Sequence, residues 1–253
     1  MNLVRALLIR EIQLLRSYAF NTVSGIITVV IIFLILLLGV RYALPGSGGM
    51  GNTEEAMVVA FFLWSWLLGG LNTLTWGITM EAQQGTLEQL YMSPYGFRVV
   101  SILMLGISII SNLAFSVPLL VILMLISGRF LHIDVATVSV LLFFMVLPAY
   151  GLGYVFGGMA LLYKRIQNVF QVINMGVVGL FMLPDSFPWN LIPFTSGYHL
   201  ISRAMRQGIG LTHLPPAELS TFIATSILFF LGGLWIYGLL EKRVKRLGIL
   251  GHY

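Results

Sequence analysis

An all-α, polytopic membrane protein with six transmembrane helices is the fold class this sequence predicts, and three observations carry the prediction. Of 253 residues, 58% are hydrophobic and only 9% are charged, where soluble domains average about half and about a quarter. Mean hydropathy is +0.95. Six stretches reach or approach the ~20 apolar residues that cross a hydrocarbon core, namely 22–40, 56–80, 99–127, 135–163, 166–183 and 221–240, and none contains Asp, Glu, Lys, Arg or His. Such a composition excludes a soluble enzyme, a coiled coil, a disordered tail and a nucleic-acid-binding domain, despite a pI near 9.6. Cysteine is absent, which removes disulfides, thiolate metal sites and cysteine nucleophiles, and the four histidines have no HExxH-type spacing.

The excess of basic residues has a topological meaning. With six spans, Arg5, Arg10, Arg16, Arg98, Lys164, Arg165, Lys242, Arg243, Lys245 and Arg246 fall on one side, against Arg41, Arg129, Arg203 and Arg206 on the other. The positive-inside bias then places both ends of the chain in the cytoplasm of a cell-membrane protein.

Residues 1–20 are too interrupted by Arg5, Arg10, Glu11 and Arg16 to be a cleavable signal. At 100° per residue, Leu3, Val4, Leu7, Leu8, Leu14, Leu15 and Tyr18 share one arc, so an amphipathic helix along the inner membrane surface is expected. Glu11 breaks the pattern by projecting from the middle of that arc with no cation on its own helix. It either finds a partner elsewhere, with Arg98, Lys164 and Arg165 as candidates, or snorkels to water.

Among the spans, 99–127 and 135–163 are long enough to tilt or kink, and Pro118 and Pro148 lie inside them. In the fourth, Ala149, Gly153 and Gly157 recur every four residues, a spacing that lets helix backbones approach closely. Ser65, Gly69, Asn72, Thr75 and Thr79 make a polar stripe on the second span, and Gln167, Gln171 and Asn174 make another on the fifth. Polar groups disfavour lipid, so both stripes are expected to face protein, as packing contacts, or a cavity, as pathway lining.

Segment 184–216 holds Pro184, Pro188, Pro193, Pro215 and Pro216. That density of breakers predicts short, re-entrant-like outer helices before the last span. Residues 241–253 read as a cytoplasmic tail. Between the second and third spans lies EAQQGTLEQLYMSPYGFR, residues 81–98. Gly85 can bend the chain, Thr86 can cap a short helix with Glu88 in its first turn, and Ser93-Pro94 stops it.

Glu81, Gly85, Thr86, Leu87, Glu88 and Ser93-Pro94 give the chain its resemblance to the ABC-2-type permeases, the six-span membrane subunits of ATP-binding-cassette exporters. The amphipathic start with Arg10-Glu11 and the proline-rich segment fit the same family, so the resemblance covers the chain as one transmembrane domain, 1–253. Ala82-Gln83-Gln84 replaces the acidic, arginine-rich spacer of the family's drug exporters. The resemblance implies that 81–94 is a coupling helix docking into a separate ATPase subunit, with Glu11 assisting. It implies two permeases, as a homodimer or with a paralogue, and two ATPase subunits that bind ATP and Mg. The chain itself has no P-loop, because Lys164, Lys242 and Lys245 follow Tyr163, Glu241 and Val244 rather than glycine.

The expected function is therefore export of an amphiphilic or hydrophobic cargo, such as a drug, lipid, peptide or lipid-linked glycan, by alternating access. The alternative is a secondary transporter or channel, against which stands the lack of ionisable residues in the six stretches. An intramembrane enzyme would need a nucleophile with a base, or a metal with its ligands, and no such set falls within a span.

Overall fold

A computed structural model describes residues 3–17, 19–43, 50–83, 96–163 and 167–247. The described residues are helical apart from short connections. In chain order the helices are α1 (Leu3–Ser17), α2 (Ala19–Ala43), α3 (Met50–Gln83), α4 (Gly96–Ser127), α5 (Val135–Leu162), α6 (Gln167–Leu180), α7 (Pro193–Gln207) and α8 (Pro216–Leu247). Single 3₁₀ turns, Trp189–Leu191 and Leu211–His213, flank α7.

Among the described residues five helices are long and apolar enough to cross a membrane, through Ala19–Tyr42, Thr53–Thr79, Val99–Ser127, Val135–Leu162 and Pro216–Val244. The expected span 166–183 differs. Its helix α6 has 14 residues, about 21 Å at 1.5 Å per residue, against a core of ~30 Å. The reason is local: Phe181, Met182 and Leu183 continue α6 as tight turns whose amides reach back three residues, and Pro184 ends them. The other helices outrun their apolar stretches. Consequently Arg41, Glu54 and Glu55 are helical end-turn residues, and the expected tail from 241 begins as the last turns of α8, with Glu241 and Val244 buried.

The centre of the bundle is α5, apolar on every side, which packs most extensively on α8 and α3. The glycines of α5 divide between those two neighbours. A Cβ on Gly153 would lie 3.3 Å from the Leu71 carbonyl oxygen of α3, and one on Gly157 would meet Ile78, so the 149–153–157 row packs on α3 as its spacing anticipates. Gly151 and Gly158 face α8 instead. Trp66, Tyr154, Phe194, Phe222 and Tyr237 fill the core between these helices.

The end of the bundle holding the α2–α3, α4–α5 and α6–α8 connections, here called distal, gathers Arg41, Arg129, Arg203 and Arg206. Each has an acid. Glu54, with a side chain 5% exposed, receives the Arg41 guanidinium at 2.7 Å on one oxygen and that of Arg129 at 3.1 Å on the other. Arg41 also donates to the Ser127 carbonyl at 3.2 Å, so one carboxylate ties the ends of α2, α3 and α4. Arg203 bridges Asp185 and Glu218, and Arg206 lies 3.6 Å from Glu55.

Helix α7 is the short helix expected in 184–216. Pro193 starts it and Gly208, at φ 67°, ends it. Its first turn is buried, with Gly197 against Phe222 and Met145, and Thr195 donating to the Leu180 carbonyl at 2.9 Å. The helix returns to the distal rim, where the His132 amide donates to the Met205 carbonyl at 2.8 Å.

Candidate functional site

The N-terminal helix α1 turns Leu7, Leu8 and Glu11 toward the bundle, while Arg5, Arg10 and Arg16 face outward. It packs across α4, and that brings Glu11 to the middle of that helix: the Ser111 hydroxyl donates to Glu11 Oε1 at 2.5 Å. A hydroxyl of α4 therefore meets the half-buried carboxylate. Among the described residues Glu11 makes no ion pair. The side chain of Arg98, and residues Lys164 and Arg165, lie outside the described residues.

Beside this contact a cleft of about 250 Å³, open on one side, separates α1 from α3 and α4. Leu14, Leu74, Ile78, Phe97 and Met104 give it apolar walls, Thr73, Ser101, Ser108, Ser111 and Asn112 give it polar ones, and Arg10 and Glu11 are its charged residues. Most of the hydroxyls are already engaged. Ser101 shares a hydrogen bond with the Tyr154 hydroxyl at 2.8 Å, Ser108 donates to the Leu105 carbonyl at 2.9 Å and meets Tyr150 at 3.1 Å, and Thr73 donates to the Gly69 carbonyl at 2.9 Å. Asn112 is different. Its side chain lies over the bare backbone of Gly69, where a Cβ would stand 1.9 Å from Asn112 Oδ1, and its buried Nδ2 has no hydrogen-bond partner. A buried donor left unpaired costs about 1–3 kcal/mol.

The stripe read on the second span sits beside this cleft and does not line it. Ser65 donates to the Phe62 carbonyl, Thr75 to that of Leu71 and Thr79 to that of Thr75, which is how hydroxyls are satisfied inside a packed helix. Asn72 keeps a buried, unpartnered Oδ1. On α6, Asn174 is half-buried and its carbonyl accepts from the Trp64 indole at 3.4 Å. Gln171 is exposed in the single chain, because α6 turns Phe170 and Val177 inward and Gln171 away from them. The side chain of Gln167 lies outside the described residues.

Glu81 belongs to the last turn of α3, which runs on to Gln83. Its side chain, and Gly85, Thr86, Leu87, Glu88 and Pro94, lie outside the described residues. Thr73, Ser101, Ser108, Ser111 and Asn112 were missed by the sequence reading. The signal existed: Ser101, Ser108, Ser111 and Asn112 recur at steps that keep one face of a helix. Among the described residues no three His, Asp or Glu side chains converge to hold a metal. No family model matches the chain, and no curated protein matches it.

Proposed function

We propose that this chain is the permease subunit of an ATP-driven exporter of the ABC-2 type. In this reading it crosses the cell membrane six times, with α6 as the short fifth pass, both chain ends in the cytoplasm and the distal charge network outside. Segment 81–94 is the coupling helix between α3 and α4, and two permeases work with two ATPase subunits that bind ATP and Mg. The second copy docks along the open face of α6, where Gln171 is an amide otherwise given to lipid.

The observation that supports this most is the position of α1. It joins α4 through Glu11 and Ser111, and α4 is the helix that follows the GTLE connection. A push on that connection therefore reaches α4, α1 and the cleft between them as one body. The test is uptake into inside-out membrane vesicles of radiolabelled dodecylammonium, dodecyl sulfate and an acylated peptide. Accumulation that needs ATP, stops with vanadate and survives collapse of the proton gradient supports an exporter. Accumulation driven by the gradient without ATP contradicts it.

A further inference from the structure

The α1–α3–α4 cleft has an uneven set of unsatisfied groups, and that set defines what fits it. Glu11 supplies a carboxylate whose hydrogen-bond partner is one hydroxyl, Ser111. A carboxylate among Leu14, Leu74 and Ile78 is costly without a cation, and among the described residues none forms an ion pair with it, the exposed Arg10 that also lines the cleft included. The amide of Asn112 supplies the complementary need, a buried donor without an acceptor. Ser101, Ser108 and Thr73 have their hydroxyls committed to tyrosines or backbone carbonyls, so the groups a ligand would complete are the Glu11 carboxylate and the Asn112 amide. Its remaining wall is apolar. At about 250 Å³ the cleft falls below the ~300–1,000 Å³ of an enclosed ligand pocket. It holds a head group and the first carbons of a chain, while the open side lets the rest of the chain run out.

We infer that this cleft binds an amphiphile with an ammonium head, the charge at Glu11, a neighbouring ether, hydroxyl or carbonyl oxygen on Asn112, and the apolar chain along Leu74, Ile78 and Met104. This names the cargo class of the exporter reading and rests on that reading only for the word cargo. The chemistry is shared by a free amphiphilic amine and by the ethanolamine head of a phospholipid.

The experiment is equilibrium binding of radiolabelled dodecylammonium to the purified full chain in phosphatidylcholine nanodiscs, with empty discs subtracted. Saturable binding of one amine per chain is expected. Glu11→Gln, which keeps the shape and can still accept from Ser111, should weaken it at least tenfold, and Asn112→Leu should weaken binding of an amine bearing a β-hydroxyl more than that of the plain amine. Dodecanol and dodecyl sulfate should not compete. Replacing part of the phosphatidylcholine by phosphatidylethanolamine separates the sources: competition assigns the site to the lipid head group, and its absence assigns it to free amines, both within the proposed class. Equal affinity in Glu11→Gln, or displacement by dodecanol as effective as by the amine, overturns the inference. Binding needs no ATP, so its loss leaves the exporter reading standing, and binding without ATP-driven uptake contradicts the exporter reading alone.

Discussion

The carbonyl oxygen of Gly151 occupies the place where a side chain on Gly233 would begin: a Cβ there would stand 2.1 Å from it. The reciprocal approach is as close, since a Cβ on Gly151 would lie 2.5 Å from the Phe229 carbonyl oxygen. The α5–α8 crossing is thus backbone on backbone, the arrangement small residues permit where lipid offers no hydrophobic drive to association. Gly233→Val should force the two helices apart and cost about 1–3 kcal/mol or more. Its neighbour is the control, because a Cβ on Gly232 meets nothing within 4 Å. Gly232→Ala should leave thermal unfolding in detergent nearly unchanged, while Gly233→Val lowers the midpoint sharply; equal midpoints would contradict the crossing.

At the distal end, Glu54 is shared by two arginines, Arg41 and Arg129, whose side chains remain 41% and 43% exposed. Glu54→Gln keeps the volume and removes the charge that orders both. Hydrogen bonds to charged groups are worth about 1.5–3 kcal/mol, and the exposure of the arginines places the expected loss toward the lower end of that range. Glu218→Gln, at a site 40% exposed, should cost less than about 1 kcal/mol. Midpoints of thermal unfolding for the two variants, compared with wild type, check the ordering.

Helical class, the apolar character of the long helices and the proline-broken segment were legible in the sequence, because they follow from local composition. The α5 glycine row was legible for the same reason, since its period of four is a property of one helix. Helix ends were not. Arg41 and Glu54 interrupt hydropathy yet stay helical, as each finds its counter-charge on another helix. The truncation of α6 depends on Pro184 together with the docking of Thr195 on Leu180, a tertiary contact. The partner of Glu11 was not legible either. Hydrogen bonding to Ser111 across 100 residues is set by how α1 crosses α4, and the polar face of α4 does not say which helix will cover it. That Gln171 is exposed in the single chain was not legible, because a period identifies which residues share a face and leaves open which way that face turns.

Gly69 and Asn112 should act as one unit. A methyl group on Gly69 would collide with the Asn112 side chain, which can swing aside because only its flexible end is met. Gly69→Ala should therefore change stability little, by less than about 1 kcal/mol, the usual range of a small adjustment. It should weaken binding of β-hydroxylated dodecylammonium as much as Asn112→Leu does, with no further loss in the double variant. Additive losses would show that the two positions act separately.

Glu11 carries a second expectation, on stability. If its bond to Ser111 fixes α1 on α4, Ser111→Ala should loosen α1, seen as faster amide hydrogen exchange across 3–17 with the α5–α8 crossing unaffected. Unchanged exchange in α1 would mean that Leu7 and Leu8 alone hold the helix.

The most direct measurement of the central claim is ATP hydrolysis by the complex that the tagged chain forms in its own membrane, reconstituted in vesicles and assayed with and without dodecylammonium. Wild-type chain should hold a P-loop ATPase at two copies per two permeases, with hydrolysis that the amine stimulates. Gly85→Val should keep that stoichiometry and abolish the stimulation, and Glu81→Gln should reduce it. A chain that purifies without any P-loop protein, or stimulation unchanged in Gly85→Val, would contradict the account.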